Sequence, residues 1–227
     1  MDTAQHKARL RQYFDGVGFE RWSAIYGQAA LSPIRRSIRV GHSAMLACAD
    51  GWLADLPPAT PLTALDAGCG TGLFSLALAR RGFQVLAADL APQMVAATAG
   101  AAHAAGLAER VTCRVADLDE LAGRFGLVAC FDVLIHYPPA GFAPMLAHLA
   151  GLCDGTLLFT YAPHSPLLAA LHRAAAIFPK GQRRTEIQMI PDALVRETLA
   201  AAGMAVSRTR RVSSGFYHVT LVEARRP

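Results

Sequence analysis

The sequence predicts an α/β domain built on a mostly parallel, doubly wound sheet. From Leu62 onward, short apolar segments typical of strands alternate with helical segments, which is the pattern of strand–helix–strand units. A glycine-rich turn follows the first of these strands, and an acidic residue stands at the end of each of the first three strands. We therefore expect seven strands with a ligand site beyond their carboxyl ends.

The N-terminal residues predict a helical arm in front of this sheet. Residues 1–14 have helical character, whereas the segment Tyr13–Trp22 places two glycines among large aromatics and is expected to be a mobile element over something apolar. Ser32 is a candidate N-cap of the next helix, because a proline follows it at the first helical position. That helix is expected to bury the residues at helical spacing, which are Ile34, Ile38, Met45, Ala49 and Trp52.

The proline-rich segment Leu56–Pro61 is the clearest boundary, so we expect an N-terminal arm or lid at 1–56 and the α/β domain at 57–227. The strands are expected at Leu62–Asp66, Phe83–Asp89, Val111–Ala116, Leu127–Phe131, Gly155–Tyr161, Met204–Val212 and Phe216–Ala224. Helices are expected after the glycine turn and at 92–105, 141–152 and 191–202. The alternation breaks at about 163–190, which predicts a small insertion on the substrate side after strand five.

The composition indicates a folded globular chain and argues against several classes of protein. The 227 residues are 53% hydrophobic, and the formal charge of +5 would help an anionic substrate approach. The absence of a basic run with interleaved aromatics argues against nucleic acid. Five scattered cysteines without a C-x-x-C pair favour a reducing cytosol over a disulfide framework or a zinc site. We expect no signal peptide and no membrane span, although the apolar balance leaves room for peripheral membrane contact.

The segment Asp66–Gly72 carries the residue types of a ligand loop. Glycines at 68, 70 and 72 allow positive φ and close approach of a ligand to the backbone. The dinucleotide fingerprint needs Gly-x-Gly-x-x-Gly, whereas the third glycine here comes one residue early and Asp66 lies two residues before the first. An acid at that position suits a cationic ligand group better than a diphosphate. A glycine-rich turn with no ligand is the alternative.

The order Asp-x-Gly-x-Gly-x-Gly closely resembles the loop of class I S-adenosylmethionine-dependent methyltransferases. This resemblance implies a Rossmann-like sheet whose last strand is antiparallel, and S-adenosylmethionine as co-substrate. Asp89 is placed to bind the ribose hydroxyls, Asp117 the adenine amine, and Asp66 the ligand's ammonium group through the loop. Any one of these acids could instead cap a helix. The expected cofactor-binding residues are Asp66, Gly68, Cys69, Gly70, Gly72, Asp89, Leu90, Asp117, Leu118 and Arg39.

For three further candidate site residues, Arg39, His42 and His136, the residues alone leave an alternative open. Arg39 and His42, one turn apart, could reach the ligand carboxylate, with a solvated helix face as the alternative. His136 ends the Asp132–His136 segment after strand four, where methyltransferases meet the acceptor, although a satisfied structural histidine is possible. Ala91 departs from the serine that such enzymes often carry two residues after the ribose acid, so the next helix lacks an N-cap side chain.

Several segments are similar to the magnesium protoporphyrin IX methyltransferases of chlorophyll and bacteriochlorophyll synthesis. The resemblance covers nearly the whole chain, and its most specific parts are the arm and the His-Tyr-Pro segment. It rests on Tyr13–Trp22, Ile25–Gly27, Ile38–His42, Asp132–Pro138, Phe178–Pro179, Arg183–Thr185 and Phe216–Tyr217.

The resemblance implies that the protein methylates one propionate carboxylate of magnesium protoporphyrin IX, giving the 13-monomethyl ester and S-adenosylhomocysteine. It also implies that the arm closes over the site, with Tyr26 and His136 as catalytic residues. The magnesium belongs to the substrate, so no protein-bound metal is expected. The large magnesium chelatase subunit is the expected partner, and the expected location is cytoplasmic with peripheral contact to photosynthetic membrane.

The flat porphyrin needs an apolar, aromatic slot. The residues expected to line it are Phe14, Phe19, Trp22, Phe178 and Tyr217. Arg183 and Arg184 are candidates for holding the second propionate, with simple surface exposure as the alternative. Two other functions stay open: a methyltransferase of this fold acting on another small acceptor, such as a quinone precursor or fatty acid, and a non-catalytic cofactor-binding partner protein.

Overall fold

The computed structural model describes residues 3–26, 31–56, 62–164 and 187–226. Its helices are α1 (Thr3–Phe14), α2 (Val17–Tyr26), α3 (Pro33–Leu53), α4 (Leu73–Arg80), α5 (Pro92–Ala104), α6 (Pro139–Leu152) and α7 (Asp192–Ala201). Its strands are β1 (Thr63–Ala67), β2 (Gln84–Asp89), β3 (Val111–Val115), β4 (Phe125–Cys130), β5 (Cys153–Pro163), β6 (Met189–Ile190), β7 (Ala205–Ser214) and β8 (Tyr217–Arg225).

The strands form one sheet in the order β3-β2-β1-β4-β5-β8-β7. The pairs among β1 to β5 are parallel, and β8 runs antiparallel to both of its neighbours. The predicted doubly wound sheet with an antiparallel last strand is thereby confirmed. The sequence prediction missed β6, which pairs with the end of β5 through Ala162 and Met189. Two residues are too few for a period-2 pattern, so periodicity could not indicate this strand.

Helices cover both faces of the sheet, which explains why its central strands β1, β4 and β5 are largely buried. On one face, α6 and α7 bury residues such as Leu146 and Leu199 against the sheet. On the other face, α3, α4 and α5 contribute Met45, Leu78 and Ala102 to a second core. The first switch in strand order lies between β1 and β4, so the carboxyl ends of these two strands open the crevice in which such sheets bind ligands.

The segment Tyr13–Trp22 is helical, contrary to the prediction of an irregular mobile element. It holds the end of α1, a turn at Gly16 and most of α2. A Cβ at Gly18 would lie 2.7 Å from the Tyr13 carbonyl oxygen and 2.9 Å from Cε1 of its ring. Gly18 therefore lets α2 pack closely on α1, and the helix tolerates its propensity cost because of that contact.

Helix α3 begins as predicted, but part of its expected buried face is wrong. The Ser32 hydroxyl accepts a hydrogen bond from the Arg35 backbone N–H at 3.4 Å, with Pro33 at the first position. Met45 and Ala49 are fully buried, whereas Ile34 is 39% exposed because the first turn of α3 lies outside the core.

Two predicted boundaries fall largely outside the described residues. These are residues 57–61 of the expected linker and residues 165–186 of the expected insertion, which include Phe178, Arg183 and Arg184. The division into arm and domain stays a prediction. Among the described helices, none is long and apolar enough to cross a membrane.

Candidate functional site

A cleft opens where β1, β2, β3 and β4 end, and α1, α2 and α3 cover it from the other side. It measures about 990 Å³ when its open mouth is included. The sheet contributes the glycine loop and acids at the strand ends, while the arm contributes Leu10, Phe14, Trp22, His42 and Leu46. The acids thus lie on the sheet side, and the arm adds mostly apolar side chains; an apolar cleft with a few polar groups is the general character of a small-molecule site.

The glycine loop is held in a conformation that side chains would prevent. Gly68, Gly70 and Gly72 have φ values of 85°, 55° and 84°. A Cβ at Gly68 would lie 2.1 Å from Cγ2 of Val133. The Thr98 hydroxyl fixes the loop from α5 by donating to the Gly70 carbonyl at 2.9 Å. The loop backbone is thus preformed and lies against the cleft without an intervening side chain.

Asp89 ties the loop to the end of β2. Its carboxylate accepts hydrogen bonds from the backbone N–H groups of Gly70 at 3.0 Å and Ala91 at 2.9 Å. Burial raises the pKa of this carboxyl, and those backbone donors offset part of the rise. The structure places Asp89 and Leu90 on the cleft wall, as expected for residues beside a ribose.

Asp66 lies under the loop at the end of β1, 3% exposed. Burial raises the pKa of its carboxyl to about 6, while a hydrogen bond from the Ser75 hydroxyl opposes the rise and the neighbouring Asp89 adds to it. Two acids at this depth make the centre of the cleft favourable for a cationic group.

Asp117 and Leu118 line the end of the cleft beyond β3. The Lys7 ammonium of α1 lies 3.0 Å from Asp117 Oδ2 and also contacts Asp119. Burial raises the pKa of the Asp117 carboxyl, and Lys7 offsets part of that rise. Sequence reasoning missed Lys7, because no local pattern links a residue of the arm to an acid more than a hundred positions away.

His136 lines the cleft and is 5% exposed. It belongs to a short 3-10 turn, Leu134–His136, and its carbonyl oxygen accepts a hydrogen bond from His6 Nε2 at 2.8 Å. The Phe14 ring packs beside it with the ring centroids 5.3 Å apart. The structure thus brings His136 together with the arm. Tyr26 ends α2, but its side chain lies outside the described part of the structure, and its role stays a prediction.

A fourth acid of the cleft, Asp132, lies just after β4 and contacts polar side chains from three elements. The Tyr217 hydroxyl donates to its two oxygens at 2.9 and 3.0 Å, and the Thr160 hydroxyl donates to it at 3.1 Å. His42 Nε2 lies 3.7 Å from Asp132 Oδ2. Burial lowers the pKa of His42, and the Asp132 carboxylate opposes that effect.

Among the described residues, Tyr217, Arg39 and Phe19 lie outside the lining of the cleft, and their expected roles at the site stay predictions. The Tyr217 ring packs on α3, where a Cβ at Gly41 would lie 2.4 Å from its Cδ1 atom. Arg39 donates hydrogen bonds to the carbonyls of Ala24 at 3.1 Å and of Ile25, which satisfies the end of α2. Phe14 and Trp22 do line the cleft, as predicted.

Comparison with family models and comparison with individual proteins both point to one family. A family described as "Magnesium-protoporphyrin IX methyltransferase C-terminus" matches residues 130–226, and a methyltransferase domain family matches residues 64–154. The magnesium-protoporphyrin O-methyltransferase of Synechocystis is 34% identical over 219 residues, which cover 96% of this chain and 95% of that protein. The chain belongs to the magnesium-protoporphyrin O-methyltransferase family.

Another member and a solved structure agree with this family assignment. The magnesium-protoporphyrin O-methyltransferase of Rhodobacter capsulatus is 32% identical over 227 residues, covering 99% of this chain and 98% of that protein. The crystal structure of the Synechocystis magnesium protoporphyrin IX methyltransferase with bound SAH superimposes with a TM-score of 0.87 at 34% identity. That superposition covers 97% of this chain and 100% of the other. Within the described part of this chain, no cluster of three or more His, Cys, Asp or Glu side chains could hold a metal ion.

Proposed function

We propose that this protein transfers the methyl group of S-adenosylmethionine to a propionate carboxylate of magnesium protoporphyrin IX, giving the monomethyl ester and S-adenosylhomocysteine. The observation that carries this proposal is the identity of 34% to a magnesium-protoporphyrin O-methyltransferase over almost the full length of both chains. The cleft supports it, because one wall suits a nucleoside with a cationic tail and the other suits a flat apolar acceptor.

The methyl donor lies along the carboxyl edge of the sheet in this proposal. Asp117 and Leu118 hold the adenine, Asp89 holds the ribose diol, and the loop Gly68–Gly72 contacts the rest of the molecule through its backbone. A carboxylate accepts two hydrogen bonds, which a cis-diol can supply. Asp66 lies below the loop and favours the cationic groups of the donor by its charge.

The reaction needs positioning more than it needs a base. A propionic acid has a pKa near that of glutamate, about 4.3, so the acceptor is already ionised at neutral pH. One carboxylate oxygen attacks the methyl carbon, the bond from carbon to sulfur breaks, and the sulfonium becomes a neutral thioether. No proton moves. Holding the two reactants in line can lower the barrier by about 7–11 kcal/mol.

His136 is the residue best placed to orient that carboxylate. It is buried on the acceptor side of the cleft, and the arm covers it through Phe14 and His6. In the proposed mechanism, His136 and Tyr26 hydrogen-bond the acceptor carboxylate and aim one oxygen at the methyl group. Phe14 and Trp22 form the walls of the porphyrin slot, and Phe19, Phe178, Arg183 and Arg184 remain predicted contributors to it.

The direct test is to incubate the protein with S-adenosylmethionine and magnesium protoporphyrin IX and to separate the products by chromatography. We expect one monomethyl ester together with an equal amount of S-adenosylhomocysteine. Binding of S-adenosylhomocysteine without ester would contradict the proposed acceptor and direct attention to a quinone precursor or to a non-catalytic role. Metal-free protoporphyrin serves as the acceptor control.

Two contacts outside the cleft complete the proposal. The large magnesium chelatase subunit delivers the porphyrin, an interaction that a pull-down with purified subunits would test.

Peripheral contact with a membrane involves Phe216, which is 63% exposed at the turn between β7 and β8 and donates its backbone N–H to Ser37 Oγ at 3.2 Å. Flotation with anionic lipid vesicles should then weaken in the variant Phe216→Ser.

A further inference from the structure

The 3-10 turn Leu134–His136 is buried and satisfies only part of its own backbone. The backbone N–H groups of His136 and Tyr137 donate to the carbonyls of Val133 at 3.0 Å and of Leu134 at 3.1 Å. All three residues of the turn are buried. A 3-10 turn of this length leaves its later carbonyls without partners inside the turn, and buried carbonyls need hydrogen-bond donors. Other parts of the chain must therefore supply them.

Two successive carbonyls of the turn accept hydrogen bonds from two different parts of the chain. The Ile135 carbonyl oxygen accepts one from the backbone N–H of Gln188 at 2.7 Å, just before β6. The His136 carbonyl oxygen accepts one from Nε2 of His6, in α1, at 2.8 Å. The first donor belongs to the backbone, whereas the second is a side chain of the arm. The hold on the His136 peptide therefore depends on which residue occupies position 6.

The His6 ring is itself oriented for this contact. It packs edge-on against the Tyr137 ring, with centroids 5.6 Å apart and an angle of 71° between the planes. A carbonyl oxygen can only accept, so Nε2 of His6 carries the proton in this hydrogen bond. The next residue, Lys7, holds α1 to Asp117 at 3.0 Å. Packing and an adjacent ion pair thus keep the imidazole beside the turn.

We propose that His6 is a positioning residue for His136. By holding the His136 carbonyl, it fixes the turn so that the imidazole of His136 meets the acceptor carboxylate in the orientation that attack on the methyl group requires. His6 is not among the described residues that line the cleft, so it acts through the turn and not on the substrate. This inference rests on the proposed function, because it requires His136 to orient the acceptor.

Three variants separate the hydrogen bond from ring packing. His6→Phe retains a flat ring against Tyr137 and removes the donor. His6→Gln removes the ring but carries an amide N–H group at about the reach of Nε2. Gln5→Phe is the matched control, because Gln5 is exposed on α1 beside His6 and the change introduces the same side chain. His6→Phe is also combined with His136→Gln.

The first measurement is amide hydrogen exchange, which reads the turn without any substrate. In His6→Phe, the amides of His136 and Tyr137 should exchange about twofold to tenfold faster, the range expected when one neutral hydrogen bond is lost. The rates should return to within about twofold of the unaltered protein in His6→Gln and stay unchanged in Gln5→Phe. The amides of β4 should keep their rates in all three variants, which separates a local effect from a loss of global stability.

The second measurement is the kinetics of monomethyl ester formation. His6→Phe should lower kcat by about threefold to tenfold and change the KM for S-adenosylmethionine by less than about twofold. His6→Gln should restore at least about half of kcat. In the His136→Gln background, His6→Phe should have no further effect, because the side chain that it orients is already gone.

A kcat in His6→Phe equal to that of the unaltered protein would overturn the inference, as would unchanged exchange at His136. An equal further loss in the His136→Gln background would also overturn it, because His6 would then act independently of His136. An equal loss of kcat in His6→Gln and His6→Phe would assign the effect to ring packing and not to the hydrogen bond. If the unaltered protein forms no ester, the proposed function fails and this inference fails with it.

Discussion

The two walls of the cleft are built in different ways. The donor wall consists of the glycine loop and the acids at the ends of β1, β2 and β3, and the contacts that hold its loop join residues close in the chain. Gly70 and Asp89 are 19 positions apart, and Gly70 and Thr98 are 28 apart. The acceptor wall consists of α1, α2 and the turn Leu134–His136, and its contact between His6 and His136 spans 130 positions.

This difference indicates how the protein can keep one methyl-donor site while its arm selects the acceptor. The donor wall is fixed by glycine conformations and backbone hydrogen bonds within a few consecutive strand–helix units, so it forms with the sheet. The acceptor wall depends on the arm docking from far away in sequence through a small number of polar contacts. We therefore expect mutations in the donor wall to weaken cofactor binding most, and mutations in the arm contacts to have smaller effects.

The largest effect should come from Gly68→Ala. The new side chain meets Val133 Cγ2 at 2.1 Å, and the backbone φ of 85° is unfavourable for any residue with a Cβ. Overpacking and strain together raise the free energy of this loop conformation by about 3 kcal/mol or more. Since the ligand binds to this conformation, affinity for S-adenosylhomocysteine should fall by at least about a hundredfold. Titration calorimetry measures this loss.

Gly100→Ala is the matched control for that variant. Gly100 lies within α5, and a Cβ there would meet nothing within 4 Å. Replacing it should leave cofactor affinity unchanged and raise the free energy of unfolding by about 0.5–1 kcal/mol, because alanine has the better helix propensity. Wild-type affinity in Gly68→Ala would show that the loop does not approach the ligand as described.

A change in pH is expected to have an intermediate effect on the affinity for S-adenosylhomocysteine, through the protonation of Asp66. Its pKa of about 6 in the free protein lies well above the usual range of an aspartate, so much of the carboxyl is protonated at pH 5. A bound cation favours the ionised form, and binding therefore releases a proton below about pH 6. Affinity for S-adenosylhomocysteine should rise by up to about fivefold between pH 5 and 6, by about a further twofold to pH 7, and level off above that. Asp66→Asn should remove the pH dependence, and a profile that stays steep in this variant would exclude Asp66 as its cause.

The smallest effect should come from the contact between the arm and α5. Asp15 Oδ1 accepts a hydrogen bond from the backbone N–H of Gln93 at 3.0 Å, in the first turn of α5. Asp15 thus supplies from the arm the cap that Ala91 cannot supply. Asp15→Ala should lower the free energy of unfolding by about 1 kcal/mol, the usual cost of a lost N-cap, as measured by urea denaturation. Asp15→Asn keeps an acceptor oxygen and should lose less. An equal loss in both variants would show that charge and not capping matters.

The donor wall could be predicted from the sequence because its determinants are local. Asp66, Gly68, Asp89 and Asp117 were expected to gather at one sheet edge, and the structure places all four on the cleft. Strand alternation, turn glycines and acids at strand ends obey rules that act over a few residues, and those rules were sufficient for the fold.

The acceptor wall could be predicted only in part. His136 was expected from its position after strand four, and Phe14 and Trp22 were expected from the family resemblance; all three line the cleft. Lys7 and Asp15 were missed, since each acts on a partner distant in sequence. Arg39 and Tyr217 were expected to contact the ligand, whereas their described hydrogen bonds go to the end of α2 and to Asp132. Long polar and aromatic side chains reach in several directions, and only tertiary packing decides among them.

His136→Gln tests most directly whether the acceptor wall acts independently of the donor wall. The measurement compares its turnover in forming magnesium protoporphyrin IX monomethyl ester with its dissociation constant for S-adenosylhomocysteine. The exposed His103→Gln on α5 serves as the control and should match the unaltered protein. We predict that His136→Gln lowers turnover on the order of a hundredfold, as for loss of a positioned catalytic group, and changes the dissociation constant by less than about threefold. Turnover equal to that of the unaltered protein, or a parallel loss of cofactor affinity, would contradict the account.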